Sequence, residues 1–231
     1  YGRVNPIMCY YVQSKNYIYP SRDEIIRQMP AARGRFPTYK DFASVTFEEA
    51  FTSEELKDAT IVKAECLESS YFENKGNGIF LRHALPLLSQ TSPIFGMLCG
   101  DFNSDGNPDI LVTGNSGSTE VSTGAYDAMN GILLGGDGKG NFEVHNSMET
   151  GFRTPGDMKG IASLKKADGS LLVFAAANSG QLKTFNCILP RQEFYEAGDK
   201  NEYAIITLKN GKKMKQEFYW GNAYLSSSGR Y

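Results

Sequence analysis

The sequence predicts a mainly β fold with one helical segment, and composition and turn pattern both indicate this class. Among its 231 residues are 24 glycines, 14 phenylalanines and 13 tyrosines. Frequent glycines between short aromatic and β-branched runs are typical of folds built from short strands. The longest apolar run, at 171–177, is strand-sized, whereas a membrane-spanning helix needs about 20 apolar residues. We therefore expect no transmembrane segment.

The charge balance argues against nucleic acid as a partner. The chain carries 24 Lys and Arg against 26 Asp and Glu, a net charge of -2, and proteins that bind nucleic acid usually show clustered positive charge. With two histidines and no C-x-x-C motif, it also lacks the usual ligands of a zinc site. We expect buried free thiols rather than disulfides at the four cysteines, Cys9, Cys66, Cys99 and Cys187.

Residues 21–59 are the one segment predicted to be helical. Three S/T-x-x-E capping boxes follow one another there: Ser21 with Glu24, Thr46 with Glu49, and Thr52 with Glu55. Pro30 is expected to end the first helix, since proline cannot continue one. The segment also contains four basic side chains, Arg27, Arg33, Arg35 and Lys40. We favour a solvated helix face for these four over a binding surface.

The rest of the chain is predicted to form strands and turns. A hairpin is predicted over residues 7–19, with its turn at 14–16. Further strands are predicted at 61–67, 94–99, 110–113, 131–134, 161–165, 171–176, 182–185, 203–208 and 212–219. Asn210-Gly211 predicts a two-residue hairpin turn between the last two strands, because a type I′ turn needs positive φ at both central positions.

Two internal repeats at nearly one spacing indicate a recurring β unit. G-x-G-x-F occurs at 76–80 and again at 138–142, an offset of 62 residues. Residues 96–115 align on 160–178, and both copies read apolar strand, Asp-Gly turn, apolar strand, Asn. A unit of about four strands is the blade of a β-propeller. At about 45 residues per blade, the sequence predicts about three blades, the C-terminal part of a larger propeller with a helical insertion at 21–59.

One group of side chains, at residues 101–109, has the composition and spacing of a binding site. Oxygen donors occupy alternate positions of this segment: Asp101, Asn103, Asp105, Asn107 through its backbone carbonyl, and Asp109. Ca²⁺ takes roughly six to eight oxygen ligands, and a tight loop with donors at alternate positions can surround it. Gly106 permits the backbone bend that such a loop requires. The sequence therefore predicts a calcium site.

The predicted site differs from an EF-hand, and a metal-free turn is the alternative to it. The twelfth position is Val112 where an EF-hand has a bidentate Glu, and the flanking segments are predicted strands. We expect a weak affinity, on the order of 10⁻⁴ to 10⁻³ M. Asp, Asn and Gly are also common turn residues, but five donors in register favour metal. The second repeat has Lys165 and Lys166 near the outer carboxylate positions, so we expect one such site.

Other candidate motifs favour structural interpretations. Residues 135–140 resemble a phosphate-binding loop, but the spacing and the final Gly140 do not match, and a hairpin turn is the better interpretation. A glycosidase would need paired carboxylates, and the spacing of the candidates specifies no pair: Glu65, Glu68, Asp127 and Asp157. Three aromatic side chains could stack on a sugar, although packing within a β structure is favoured: Tyr219, Trp220 and Tyr224.

Several of these motifs together resemble a known family. Phe95-Gly96, the D-x-N-x-D-G-x-x-D run at 101–109 and Gly138-x-Gly140-x-Phe142 resemble the FG-GAP or VCBS repeat of integrin-type β-propellers. Residues 208–228 are similar to the ASPIC/UnbV module that follows such repeats in proteins related to cartilage acidic protein. The resemblance covers about residues 61–231. It implies a partial propeller at 1–190, with the helical insert, and a C-terminal ASPIC/UnbV-like β module at 191–231.

The resemblance also implies a function. It implies a secreted or cell-surface protein that binds Ca²⁺ through Asp101, Asn103, Asp105, Asn107 and Asp109 and has no catalytic role. In bacterial relatives it implies a periplasmic or outer-membrane surface location, often with a lipid anchor upstream. We therefore expect an extracytoplasmic calcium-binding interaction module whose partner is a protein or glycan, or an upstream propeller segment of the same parent chain. The alternatives are a polysaccharide-active propeller enzyme and an accessory subunit of an outer-membrane nutrient-uptake assembly.

Overall fold

The computed structural model describes residues 4–121, 123–188, 195–207, 211, 213–221 and 228, and the chain divides into two compact units. The first is Tyr1–Glu65 and the second is Cys66–Tyr231. The described residues form thirteen strands and four short α-helices, so the predicted mainly β class is confirmed. The predicted boundary between residues 190 and 191 lies outside the described residues.

The first unit joins a β-hairpin to a run of short helices. Its elements are β1 (Cys9–Val12), β2 (Lys15–Ile18), α1 (Arg22–Gln28), a 3-10 helix (Pro30–Gly34), α2 (Tyr39–Ala43) and α3 (Phe47–Ala50). The hairpin turn consists of Gln13 and Ser14, whose φ angles are 49° and 65°. The predicted turn at 14–16 is therefore wrong, because Lys15 and Asn16 already pair with β1.

Side-chain hydrogen bonds define where the helices of this unit begin. The three predicted pairs all exchange the hydrogen bonds of a capping box: Ser21 with Glu24, Thr46 with Glu49, and Thr52 with Glu55. The first two begin α1 and α3, but residues 53–58 form turns, so the helix predicted after Thr52 is wrong. A fourth box joins Thr38 to Asp41 at the start of α2, and the S/T-x-x-E pattern does not detect it because Asp replaces Glu. As predicted, α1 ends before Pro30.

The helices and the hairpin of the first unit share one apolar core. Six buried side chains form it: Ile18, Ile25, Ala32, Phe36, Ala50 and Phe51. Arg35 closes the edge of this core, since its guanidinium donates to the Ala50 carbonyl and lies 2.6 Å from Glu55 Oε1. The bond from Arg35, with a second from the Thr52 amide, lowers the pKa of the Glu55 carboxyl to about 2.

The second unit consists of consecutive antiparallel sheets. Its strands are β3 (Ser70–Gly76), β4 (Ile79–Ala84), β5 (Ile94–Gly100), β6 (Asp109–Gly114), β7 (Ile132–Gly136), β8 (Phe142–Asn146), β9 (Met158–Lys165), β10 (Leu171–Ala177), β11 (Lys183–Cys187), β12 (Tyr203–Thr207) and β13 (Lys213–Glu217). Helix α4 (Ser147–Thr150) and a 3-10 helix (Leu87–Gln90) connect strands. The sheets are β3-β4, β5-β6-β7-β8, β9-β10-β11 and β12-β13.

Three of these sheets pack face to face, with the four-stranded sheet in the middle. Side chains alternate along its strands, so that Leu111 and Leu133 point into a cluster shared with β9 and β10. Val112 and Leu134 point the opposite way, into a cluster that Tyr71 of β3 joins. No closed barrel or propeller is detected among the described strands, so the blade assignment stays a prediction.

Both internal repeats correspond to hairpins. The two G-x-G-x-F motifs form the turns of β3-β4 and β7-β8. The longer repeat forms hairpin β5-β6 in its first copy and hairpin β9-β10 in its second. Corresponding sequence motifs therefore occupy corresponding positions in successive sheets.

Some sequence predictions fail because strands need partners. Residues 61–67 form no strand: Val62 and Leu67 are exposed, and no described segment pairs with them. The predicted strands do not include β3, β4 or β8. In β3, the polar residues obscure the apolar alternation. Of the predicted hairpin turn Asn210-Gly211, Asn210 lies outside the described residues, as do 208, 209 and 212.

Two expectations about the whole chain have different outcomes. The four cysteines all lie in described segments and are free thiols, but Cys9, Cys66 and Cys99 are exposed, so the predicted burial is wrong for them. Cys66 lies within residues 61–67, which form no strand, and Cys99 lies on β5. Within the described residues, no helix has the length and apolar character needed to cross a membrane.

Replacing Gly96 with alanine should loosen the packing between β5 and β9. A Cβ at Gly96 would lie 2.8 Å from Thr113 Cγ2 and 3.0 Å from Ile161 Cγ2. Both neighbours are buried, and the Thr113 hydroxyl is hydrogen-bonded to Thr154, so neither can move away easily. We expect Gly96→Ala to lower the free energy of unfolding by about 1 to 3 kcal/mol in urea denaturation. Gly117→Ala is the matched control, because its Cβ would make ordinary contacts only; equal stability of the two variants would contradict the packing.

The first unit should lose stability in acid through Glu55. Because the folded pKa of Glu55 is about 2 and its ordinary value is 4.5, the ionised carboxylate stabilises the fold above pH 4.5, and this contribution disappears as pH falls toward 2. The difference in melting temperature between the unmodified chain and Glu55→Gln should therefore shrink over this interval in scanning calorimetry. Glu54→Gln is the control, since the Glu54 side chain has no hydrogen bond or ion pair within the described segments. A pH-independent difference would contradict the assignment.

Candidate metal centre

The predicted metal ligands lie in the 101–109 loop, which connects β5 to β6 in the middle sheet. The last pair of the β5-β6 ladder is Gly100 with Asp109, so the loop leaves and re-enters the sheet at adjacent positions. Ser104 and Gly106 have positive φ angles of 64° and 85°, which let eight residues turn back within this short span. The hairpin thus brings all five predicted ligands to one end of the sheet.

Asp109 anchors the C-terminal end of the loop through three hydrogen bonds. Its side chain is fully buried, and its Oδ2 accepts hydrogen bonds from the amides of Phe102 at 2.9 Å and Asn103 at 3.2 Å. Its Oδ1 accepts a hydrogen bond of 2.9 Å from the amide of Gly136, at the end of β7. A buried carboxylate is stable when backbone amides satisfy it, so Asp109 joins the loop to the neighbouring strand.

Close approach of the backbone reinforces this junction. A Cβ at Gly136 would lie only 2.1 Å from the carbonyl oxygen of Pro108, so only glycine allows β7 to reach the loop at this point. This close approach of β7 to the loop brings the Gly136 amide within hydrogen-bond distance of Asp109 Oδ1.

Three further predicted ligands accept hydrogen bonds from backbone amides within the loop. The Asp105 amide donates to Asp101 Oδ1 at 3.1 Å and to Asn103 Oδ1 at 2.9 Å, so both oxygens lie near one nitrogen. Asp101 Oδ2 accepts from the Gly106 amide, and Asp105 Oδ1 from the Asn107 amide. The Asn103 amide group also donates to Asp105 Oδ2 at 3.0 Å. The loop therefore gathers side-chain oxygens of Asp101, Asn103 and Asp105.

The donor set fits calcium in its chemistry, but the carboxylates alone do not form a cage. No group of three His, Cys, Asp or Glu side chains in the described part of the chain is arranged to hold a metal ion. The predicted set is mixed, because Asn103 supplies an amide oxygen and Asn107 a backbone carbonyl. Each carboxylate oxygen has two lone pairs, so an oxygen of Asp105 that accepts one N–H can also bind a cation. All five donors are oxygens, as hard cations prefer.

The corresponding turn of the next sheet is organised differently. Asp168, in the β9-β10 hairpin, accepts hydrogen bonds at Oδ1 from the amide and hydroxyl of Ser170. Lys166 lies 3.4 Å from its Oδ2. Hydrogen bonds from Ser170, with a smaller contribution from Lys166, lower the pKa of the Asp168 carboxyl. An ammonium group beside the turn opposes a second cation there.

The phosphate-loop-like segment 135–140 belongs to a hairpin, as predicted. It lies in the β7-β8 turn, where Asp137 Oδ1 accepts from the amides of Lys139 and Asn141. The Asn141 side chain donates to Asp137 Oδ2 at 2.6 Å. These hydrogen bonds, that of the Asn141 side chain most, lower the pKa of Asp137. The polar groups of this turn therefore form hydrogen bonds with one another, as in an ordinary hairpin turn.

A cavity lies beside the 101–109 loop and is mainly apolar. Its volume is ≈ 270 Å³, and its lining includes Gly106, Pro108, Phe142 and Met214. Met214 comes from β13, so the predicted C-terminal module contributes to the surroundings of the loop.

Sequence reasoning missed a polar cluster at the other end of β6. Asn115 is 1% exposed, and its Nδ2 donates to the carbonyls of Met129 and Gly156 while its Oδ1 accepts from the Met129 amide. The repeat contained a signal for it, because both copies end in asparagine. In the second copy, Asn178 contacts Asp157 through its amide and its side chain.

Asp157 and Lys159 form an ion pair within this cluster. Lys159 Nζ lies 2.6 Å from Asp157 Oδ1, donates to the Asn115 carbonyl and lies 3.7 Å from the centre of the Phe95 ring. Lys159 is the main cause of the lowered pKa of Asp157. Of the carboxylates considered for a glycosidase, Asp157 is thus committed to internal contacts, and Glu68 pairs with Arg82 on the surface.

A scan against protein-family models and searches of curated proteins and of solved structures find no match for this chain. The resemblance to FG-GAP repeats and to the ASPIC/UnbV module therefore depends on the motifs quoted above. Of the second motif, residues 208–210, 212 and 222–227 lie outside the described residues. The described remainder includes β13, which pairs with β12 just before the motif, and Ser228, whose hydroxyl accepts a hydrogen bond from the Ser163 amide of β9.

Removal of the Asp109 carboxylate should destabilise the second unit. Asp109→Ala leaves the amides of Phe102, Asn103 and Gly136 without their acceptor, and we expect a loss of about 2 to 5 kcal/mol in the free energy of unfolding. Urea denaturation in the presence of a chelator measures this separately from any metal. Asp137→Ala is the control, since Asp137 is exposed and caps a surface turn; it should cost about 1 kcal/mol or less. Equal losses would contradict the central role of Asp109.

Proposed function

We propose that this chain is a non-catalytic, calcium-binding β-propeller segment that acts outside the cytoplasm as an interaction module for a protein or a glycan. The stack of antiparallel sheets supports the propeller part of the proposal. Consecutive blades of a propeller are antiparallel meanders that follow one another along the chain and pack face to face. Sheets β3-β4, β5-β6-β7-β8 and β9-β10-β11 have this arrangement.

The positions of the repeated motifs support one assignment of blades. Strands β5 to β8 form a four-stranded meander, the size of a complete blade. Hairpin β3-β4 shares its G-x-G-x-F turn with β7-β8, so it corresponds to the last two strands of the preceding blade. Strands β9 to β11 begin with the Asp-Gly hairpin that β5-β6 also contains, so they correspond to the first three strands of the next blade.

The single observation that carries the calcium proposal is the gathering of side-chain oxygens in the 101–109 loop. Asp101 and Asn103 both accept from the Asp105 amide, the Asn103 side chain donates to Asp105 Oδ2, and Asp109 fixes the end of the loop. Asp101, Asn103, Asp105, Asp109 and the Asn107 carbonyl would hold the ion. A bound Ca²⁺ would supply positive charge among these oxygens and restrict the loop. The residues themselves orient the loop at the end of the sheet.

Exposed aromatic side chains support a role in interaction. Phe72 of β3 and Phe80 of β4 lie on the same face of their hairpin and are 62% and 57% exposed. The opposite face carries Tyr71, which packs against Phe142 of the middle sheet. An upstream propeller segment of the same parent chain is the partner that we propose for the exposed face, since it would continue the stack. The extracytoplasmic location is proposed from the family resemblance.

The chemistry of the Asp157–Lys159 pair supports a non-catalytic role. A carboxylate beside an ammonium could act as an acid–base pair, but a catalytic group must be able to reach a substrate. Lys159 already contacts Asp157, the Asn115 carbonyl and the Phe95 ring. Asp157 is held in addition by Asn178. These contacts assign the pair to the junction between β6 and β9.

Calcium binding should depend on Asp105 and not on the corresponding turn of the next sheet. Isothermal titration of Ca²⁺ into the chelator-treated chain should show one site with a dissociation constant on the order of 10⁻⁴ to 10⁻³ M. Asp105→Ala should abolish the binding heat because it removes a ligand. Asp168→Ala is the matched control, as Asp168 is the Asp of the second Asp-Gly turn and is accompanied by Lys166; it should bind like the unmodified chain. No heat with the unmodified chain, together with a melting temperature that chelator leaves unchanged, would overturn the proposal.

A further inference from the structure

The first unit contains a pocket lined by three arginines, two from α1 and one from the 3-10 helix that follows it. The pocket has a volume of ≈ 550 Å³ and is lined by Arg22, Asp23, Ile26, Arg27, Pro30 and Arg33. The first four of these share one side of α1, because residues four positions apart are neighbours on a helix. Pro30 starts the following 3-10 helix, which carries Arg33 back to the same pocket.

Two of the charged residues in this pocket already neutralise each other. Arg22 Nη1 lies 3.1 Å from Asp23 Oδ1. Arg22 also donates to the carbonyls of Phe36 and Pro37, and the Tyr39 hydroxyl donates to Asp23 Oδ2 at 2.6 Å. Arg22 and Asp23 therefore form the fixed wall of the pocket, and Asp23 does not compensate the other arginines.

Arg27 and Arg33 are different, because their positive charges are not paired. Both are exposed, and neither donates a hydrogen bond or forms an ion pair within the described part of the chain. Glu24 interacts with Arg27 electrostatically, but its Oε2 is bound by the amide and hydroxyl of Ser21. Arg35, by contrast, is bound to Ala50 and Glu55. The basic residues predicted as one solvated face thus include a separate pair in a pocket.

We propose that this pocket binds a phosphomonoester, with its phosphate between the guanidinium groups of Arg27 and Arg33 and its organic part over Ile26 and Pro30. The guanidinium group presents a planar fork of donors that matches phosphate oxygens and stays charged at all relevant pH values. A phosphomonoester carries about −1.5 to −2 charges at pH 7, which balances two arginines, whereas a carboxylate balances one.

The size and polarity of the pocket agree with such a ligand. Its volume lies within the range of roughly 300 to 1,000 Å³ that small-molecule sites occupy. Ile26 is 8% exposed and supplies an apolar floor, and the exposed ring of Pro30 continues it. This site lies in the first unit and is independent of the calcium proposal, which concerns the second.

Titration calorimetry of the full chain tests the site with phenyl phosphate, inorganic phosphate and acetate at constant ionic strength. We expect saturable 1:1 binding of phenyl phosphate, weaker binding of inorganic phosphate because it lacks the apolar part, and little binding of acetate. Arg27→Gln and Arg33→Gln should each weaken phenyl phosphate binding by about tenfold or more, because each removes a charge-assisted pair of hydrogen bonds. Arg27→Lys keeps the charge but not the fork, and it should give an intermediate loss.

Lys40→Gln is the matched control. It removes one exposed positive charge from the same unit, on α2, and Lys40 does not line the pocket. It should change the affinity by less than about twofold. Side-chain Nε–Hε signals of Arg27 and Arg33 in NMR spectra should shift on addition of phenyl phosphate, whereas that of Arg35 should not. Circular dichroism of each variant confirms that the helices remain.

Three results would overturn the proposal. Absence of saturable phenyl phosphate binding to the unmodified chain would show that the pocket is not a phosphate site. An equal loss in Lys40→Gln would show that general positive charge attracts phosphate. Equal affinity for inorganic phosphate and phenyl phosphate would show that Ile26 and Pro30 do not bind the organic part of the ligand. The phosphate titrations are run with chelator present, and Asp105→Ala should bind phenyl phosphate normally, so failure here is distinguishable from failure of calcium binding.

Discussion

Asp109 places a carboxylate inside the second unit, and the middle sheet is arranged around its hydrogen bonds. Its oxygens accept the amides of Phe102, Asn103 and Gly136, which belong to the 101–109 loop and to the end of β7. A carboxylate buried without such donors would lower the free energy of unfolding by several kcal/mol. Burial of Asp109 with β6 therefore requires the loop and the end of β7 to lie close enough to donate to it. The arrangement of the candidate calcium ligands is therefore a consequence of packing within the sheet as well as of local sequence.

Strand β6 is anchored by a polar side chain at each end and is mainly apolar between them. Asp109 holds its beginning, and Asn115, just after its end, bonds to Met129 and Gly156. Between these anchors, Leu111 faces one apolar cluster and Val112 the other. Directional hydrogen bonds fix the position of the strand along its axis, and burial on both faces fixes its rotation. This is why the proposed metal site and the Asp157–Lys159 junction occupy opposite ends of the same strand.

Sequence reasoning succeeded where the determining interactions are local and failed where they are not. The Ser21–Glu24 capping box spans three residues and can be recognised from the sequence alone, as can the Asp-Gly hairpin turn of β5-β6. The apolar run at 61–67 has strand composition but no partner, and partners are a property of the whole fold. Spacing correctly brought the 101–109 oxygens into one loop, yet the bond from Gly136 to Asp109 joins residues 27 positions apart, and no local pattern contains it.

Every strand pairing among the described residues joins strands that follow one another along the chain. Each sheet can therefore form from a contiguous stretch of polypeptide, and closing short loops costs little entropy. During synthesis, hairpin β3-β4 would be complete before β8 exists, and Tyr71 would have no Phe142 ring or Gly140 carbonyl to contact. We expect the nascent chain to expose this aromatic face until the next sheet has emerged, and chaperones that recognise exposed aromatic side chains would act during that interval.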